Sequence, residues 1–260
     1  MLKAYIYLFI LSFLAQACSV FEEPEEFTLV NIGTDYIIEL SQTLQLGSNA
    51  MLFNIKTTQM DNCIDSHIDV ESKIIENQLQ LILGDIITHD PCLQIPNQLE
   101  SSAKFTLSTR DYDINISLKD VIQNFGTVSV SDESFTIELE TENGIIIGQQ
   151  KINIIPDDYI WGRIGISDIN NKSQLKNIVK HIQSINQPHA LKDGNYSFFE
   201  IREATLSLPR STEKLIAEEE FLVRQTADFE IIKNSLAQFS EQFPEAKIQI
   251  MNSVGESILN

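Results

Sequence analysis

Tyr112-Asp113-Ile114-Asn115-Ile116-Ser117-Leu118 alternates apolar and polar side chains without a break. Successive residues of a strand point to opposite faces, so Tyr112, Ile114, Ile116 and Leu118 share one buried face and the polar residues meet water. Lys104-Phe105-Thr106-Leu107 and Phe135-Thr136-Ile137-Glu138-Leu139 repeat the pattern, and Tyr36–Leu40, Met51–Ile55 and Leu79–Leu83 are β-rich runs with partial alternation. Short strands divided by Gly, Asn, Asp and Ser predict an antiparallel, immunoglobulin-like β-sandwich over residues 28–156. Asn143-Gly144 before Ile145-Ile146-Ile147 predicts a hairpin turn.

After Pro156 the texture changes. Ile160–Ile166 reads as a strand and holds Trp161, the single tryptophan. Ser173 is positioned to cap a helix whose apolar residues Leu175, Ile178, Val179, Ile182 and Ile185 recur at helical spacing, with Pro188 ending it. Tyr196–Ile201 and Phe221–Gln225 read as strands. Asp228 caps a second helix with Phe229, Ile232, Leu236, Phe239 and Phe243 on one face, stopped by Pro244, and Lys247–Met251 is a last strand. The order β-α-β-β-α-β predicts an α+β domain over 157–260 of the ferredoxin-like, split βαβ type. Both helices would cover one sheet face and leave the other to pack on the sandwich or on a partner.

The start of the chain carries a different kind of information. Met1-Leu2-Lys3 is a short basic opening, Ala4–Leu14 is apolar, and small residues lead to Cys18. A membrane-spanning helix needs about 20 apolar residues, and this run is shorter, so residues 1–17 read as a cleaved signal peptide. Ala15-Gln16-Ala17 also suits an ordinary signal peptidase. Leu14-Ala15-Gln16-Ala17-Cys18 resembles the lipobox of bacterial lipoproteins of the Gram-negative kind. That resemblance implies a Cys18 carrying palmitate-type acyl chains and an outer-membrane location. With about 0.8 kcal/mol per buried CH₂, two or more chains anchor stably. Residues 18–27 then form a tether. Its Glu22-Glu23-Pro24-Glu25-Glu26 is similar to the acidic stretch that accompanies display on the cell exterior in some lipoproteins, and a plain solvated spacer reads equally well.

The chain has three cysteines, Cys18, Cys63 and Cys92. Lipidation of Cys18 accounts for the odd count and leaves Cys63 and Cys92 to form a disulfide in an oxidising compartment. Its loop of about 30 residues would stabilise by roughly 3.5 kcal/mol in the chain-entropy description.

A formal net charge of −19 argues strongly against nucleic acid as a partner and disfavours direct adhesion to anionic lipid. Cys63-x3-His67 and His89-x2-Cys92 have zinc-ligand spacing, yet a disulfide removes both thiolates. His67 and His89, beside Asp61, Asp65, Asp69 and Asp90, remain as the residual metal candidates, and ordinary loop residues explain the same pattern. Asp111-x-Asp113-x-Asn115 imitates a calcium loop but has Ile116 and Ile122 where the glycine and bidentate glutamate belong. Trp161, within Tyr159-Ile160-Trp161-Gly162, and Phe198-Phe199 are candidates for ligand or partner contact, with inter-domain packing as the competing reading. Asp157-Asp158 and Glu218-Glu219-Glu220 read as solvated charge runs. G-x-S-x-G, H-E-x-x-H and P-loop motifs are missing from the sequence. The expectation is therefore a non-catalytic binding or assembly module without a cofactor, held at the membrane by its lipid and engaging a protein partner in the envelope. The alternatives are a hydrolase of envelope or extracellular polymers with a site between the domains, and a cation-dependent adhesion module.

Overall fold

The computed structural model describes residues 35–45, 50–61, 63–88, 95–119, 121–210 and 214–260. Cys18, the acidic tether, His89 and Cys92 lie outside them. Residues 33–260 form one compact unit, mainly β, with open mixed and antiparallel sheets. The first ten strands are β1 (Tyr36–Gln42), β2 (Ala50–Asp61), β3 (His67–Ile75), β4 (Gln78–Ile87), β5 (Asn97–Thr106), β6 (Arg110–Leu118), β7 (Ile122–Val130), β8 (Ser134–Leu139), β9 (Ile145–Gln149) and β10 (Lys151–Asn153). A four-stranded sheet runs β5-β2-β1-β9, with β1 and β9 parallel. A longer sheet contains the run β10-β8-β7-β6-β4-β3, with β4 and β6 parallel.

Alternation dictates how these strands are used. Tyr112, Ile114, Ile116 and Leu118 of β6 are buried, as are Phe53 and Ile55 of β2 and Phe135 and Ile137 of β8, and all join one apolar cluster drawn from both sheets. The Phe53 and Phe105 rings meet edge-on at 5.3 Å between centroids, an arrangement that aromatic quadrupoles favour. Asp111, Asp113 and Asn115 lie within strand β6.

Asn143-Gly144 corrects one expectation. Gly144 has φ 75°, as a tight turn requires. The strands it joins do not pair with each other, because β9 pairs with β1 in the opposite sheet. Isoleucines 145 and 147 both bury into the shared core from that side. The chain then returns to the longer sheet at β10, beside β8.

The remaining elements are β11 (Tyr159–Ile166), α1 (Lys172–Ser184), β12 (Gln187–Pro188), β13 (Gly194–Tyr196), β14 (Phe199–Arg202), β15 (Thr205–Ser207), β16 (Ala217–Arg224), α2 (Phe229–Gln242), β17 (Lys247–Asn252) and β18 (Ser257–Leu259). A five-stranded antiparallel sheet runs β12-β16-β11-β17-β18. Leu175, Val179 and Ile182 of α1 and Phe229, Ile232, Leu236 and Phe239 of α2 bury with Ile160, Ile164 and Ile250 of the sheet. Asp228 caps α2 as expected, its Oδ1 accepting from Glu230 N–H at 3.0 Å. Ser173 does not cap α1: the helix begins at Lys172 after a 3₁₀ turn, Ile169–Asn171, that Asp168 caps. The Asp168 carboxylate captures Asn170 N–H at 2.9 Å one turn earlier, so the chain is already helical at Ser173.

Tyr196–Ile201 is not one strand. Tyr196 pairs with Phe199, so Ser197-Phe198 is a two-residue turn between β13 and β14. This hairpin does not join the five-stranded sheet. Parallel pairing of Asn153 with Tyr196 adds it, with β15, to the longer sheet, which reaches nine strands and spans the sequence on both sides of Pro156.

Candidate functional site

Strand β11 is buried along its whole length because it is covered on both faces. Ile160, Ile164 and Ile166 belong to the cluster that the two helices complete. Alternation sends Tyr159, Trp161, Arg163 and Gly165 to the helix-free face. Register places Trp161 between Leu222 and Met251, Arg163 between Glu220 and Gln249, and Gly165 between Glu218 and Lys247. One face therefore passes from apolar to charged within three rungs of the ladder.

At the apolar end the hairpin closes over the sheet. The Trp161 ring lies 5.7 Å from Phe198 and 5.3 Å from Phe199, and Tyr196 stacks on Phe199 at 5.0 Å. All three sequence-selected aromatics thus come together. Trp161 and Phe199 are buried in a cluster with Ile155, Tyr196, Ile201 and Leu222, whereas Phe198 at the turn stays half-buried. Trp161, Phe198, Leu208, Pro209 and Met251 wall a cavity of about 160 Å³ that Arg163 also lines. A second cavity of about 360 Å³, lined by Leu215, Lys247, Gln249 and Leu259, shares Arg163 and Gln249 with the first.

Arg163 is the residue that the sequence reading passed over. It is 4% exposed. Its Nη2 donates to the Pro209 carbonyl at 2.5 Å and pairs with Glu220 at 3.1 Å. Its Nη1 has only a 3.8 Å ion-pair contact with Glu218, and its Nε is buried with no hydrogen-bond partner among the described residues. A buried guanidinium costs several kcal/mol to desolvate unless its donors are filled, so this half-filled fork is a costly arrangement. Glu220 corrects the expectation of a freely solvated run, being half-buried against Arg163, whereas Glu218 stays exposed with its 3.8 Å contact to the guanidinium. Burial pushes the Glu220 carboxyl above its usual range, and the Glu218 charge adds to this. The Leu208 N–H, at 3.4 Å, and the Arg163 charge pull it back. The available signal was a cation inside the apolar run Ile160–Ile166; its glutamate neighbours emerge only from strand register.

The other sequence-selected residues fall elsewhere. His67 is exposed at the start of β3, and His89 lies outside the described residues. Among the described residues no group of three potential metal ligands converges. Cys63 is buried and disulfide-bonded; Cys18 and Cys92 both lie outside the described residues. No described helix is long and apolar enough to cross a membrane. No protein-family model matches the chain, and neither a curated protein nor a solved structure matches it significantly.

Proposed function

We propose that the chain is an outer-membrane lipoprotein, anchored through acyl chains on Cys18, that works as a non-catalytic binding module for a protein partner in the envelope. The observation that carries the binding reading is Arg163: a buried guanidinium whose Nε has no partner among the described residues and whose Nη1 has a 3.8 Å ion-pair contact, lining an aromatic-walled cavity. Stable cores fill buried donors internally, so this one beside a cavity supports a recognition role. The Cys63 disulfide supports export, because disulfides persist in oxidising compartments. Hydrolysis has less support, since Glu220 is occupied by Arg163 and the Leu208 N–H.

Two finer fold readings accompany this one. The strands before Pro156 support an immunoglobulin-like sandwich. Tyr112 Oη accepts from Ser108 N–H at 2.9 Å and donates back to the Ser108 carbonyl at 3.3 Å, the contact of a tyrosine corner. The antiparallel order β12-β16-β11-β17, with helices after β11 and β16, supports a split βαβ, ferredoxin-like half whose second strand has shrunk to Gln187–Pro188.

Two measurements test the function. Cells fed an alkyne fatty acid should label the wild-type protein and not Cys18→Ala, which should leave the membrane fraction. A photo-crosslinking residue at position 198 should join one envelope protein, and Arg163→Met should abolish that product. Cross-links from distant surface positions but none from 198 would refute the assigned face.

A further inference from the structure

We propose that the paired cavities around Arg163 form a groove for an uncharged, extended peptide segment with an apolar side chain, a reading that rests on the binding role assigned to this face. The first cavity, at about 160 Å³, falls below the roughly 300 Å³ where whole small-molecule sites begin. It suits a single side chain, and Trp161, Phe198, Leu208 and Met251 give it apolar walls. The second cavity lies one rung further along the same face, beyond Arg163 and Gln249. A chain crossing both must pass the guanidinium.

The polar groups at that crossing select the chemistry. Arg163 Nη1 offers N–H donors that no described residue fills at hydrogen-bond distance. Glu218, 46% exposed at its side chain, offers acceptors facing the same point. A peptide unit brings both complements, a carbonyl for Arg163 and an N–H for Glu218. Charge decides against an anion: Glu218 and Glu220 offset Arg163 and Lys247 around the two cavities, so a further carboxylate would find no surplus cation in a partly desolvated site. Exposed Gln249 borders both cavities and contributes a neutral amide able to donate and accept.

The test uses the full-length chain in zwitterionic nanodiscs and three N-acetylated peptides: Ac-Gly-Leu-Gly-NH₂, Ac-Gly-Asp-Gly-NH₂ and the C-terminal acid Ac-Gly-Leu-Gly-OH. NMR should show saturable shifts of the Trp161 indole and the Arg163 guanidinium with the capped leucine peptide. The two anionic peptides should bind at least about tenfold more weakly. Phe198→Ala, at a half-buried turn position that need not disturb the core, should weaken the leucine peptide about tenfold. Arg163→Met should do the same in samples whose circular dichroism matches wild type. Equal shifts with all three peptides, tighter binding of the anionic ones, or no saturable shift at Trp161 would each overturn the peptide assignment. Repeating the titration with Cys18→Ser separates this result from the anchoring reading, since groove binding should persist when the anchor is lost.

Discussion

Arg163 is costly to bury and costly to remove. Replacing it with methionine leaves Glu220 partly buried without its cation. We expect a loss on the order of 2 kcal/mol in urea unfolding, below the 3–5 kcal/mol of a fully enclosed pair. Glu220 behaves in the opposite sense with pH. Its folded-state carboxyl is raised by burial, so the folded protein binds this proton more tightly than the unfolded chain does. Its destabilising effect is absent below the ordinary carboxylate range and grows as pH rises through the raised value. Glu220→Gln should therefore gain stability relative to wild type on going from pH 4 to pH 7, and a flat difference across that range would contradict the assignment. Buried amides do related work elsewhere. Asn124 Oδ1 accepts from Asn143 N–H at 2.7 Å, and Asn186 Oδ1 accepts from Thr226 N–H at 2.9 Å and Ala227 N–H at 3.2 Å. None of these amides advertises its role in sequence, because Asn is equally common in exposed turns.

Elements were legible where periodicity was clean. Strands β6 and β8 and both helices follow from alternation or from i, i+3, i+4 spacing, and Asp228 marked its helix start correctly. Strand β3 is not legible, because a sheet edge has little to bury: only Ile68 of its nine residues is buried. The reversal at Ser197-Phe198 is not legible, since Tyr196, Phe199 and Ile201 are all buried and give no hint of it. The candidate site was half legible. Its aromatics stood out by type, while Arg163 and its glutamates meet only through strand register, which single-sequence patterns do not fix. Register also explains the first glycine of β11, Gly162. A Cβ on Gly162 would sit 2.3 Å from the Gln249 carbonyl oxygen of the neighbouring strand. Gly162→Ala should cost about 1–3 kcal/mol or more by forcing those backbones apart, read as a lower urea midpoint at unchanged slope.

At the scale of the molecule, one side chain ties the sheets to the segment after β10. Gln42 is buried, its Nε2 donates to the Ile155 carbonyl at 3.1 Å, and its Oε1 accepts from Ile155 N–H at 2.8 Å. Gln42 N–H also donates to Ser197 Oγ at 2.6 Å, reaching the aromatic hairpin. Gln42→Ala strands both polar groups of Ile155, each worth about 1–3 kcal/mol when buried unpaired. The expected outcome is a Tm lowered by roughly 5–15 °C, with Trp161 fluorescence reporting a loosened hairpin. The Cys63 disulfide gives a second global test. Peptide mapping without reduction should recover Cys63 joined to Cys92, and reduction should lower stability by about 3.5 kcal/mol for a loop of about 30 residues. Recovery of Cys63 joined to Cys18 would remove the acylation site and with it the proposed anchor.

The position of β1 has a mechanical meaning. It is the first described strand and lies between β2 and β9, paired to β2 along its whole length and to β9 over Tyr36–Glu39. Tension applied through residue 35 therefore cannot peel β1 from an open margin one bond at a time. It must drag the strand lengthwise past two neighbours, so many cross-strand bonds share the load and fail together, a geometry suited to a protein tugged between a leash and a grip.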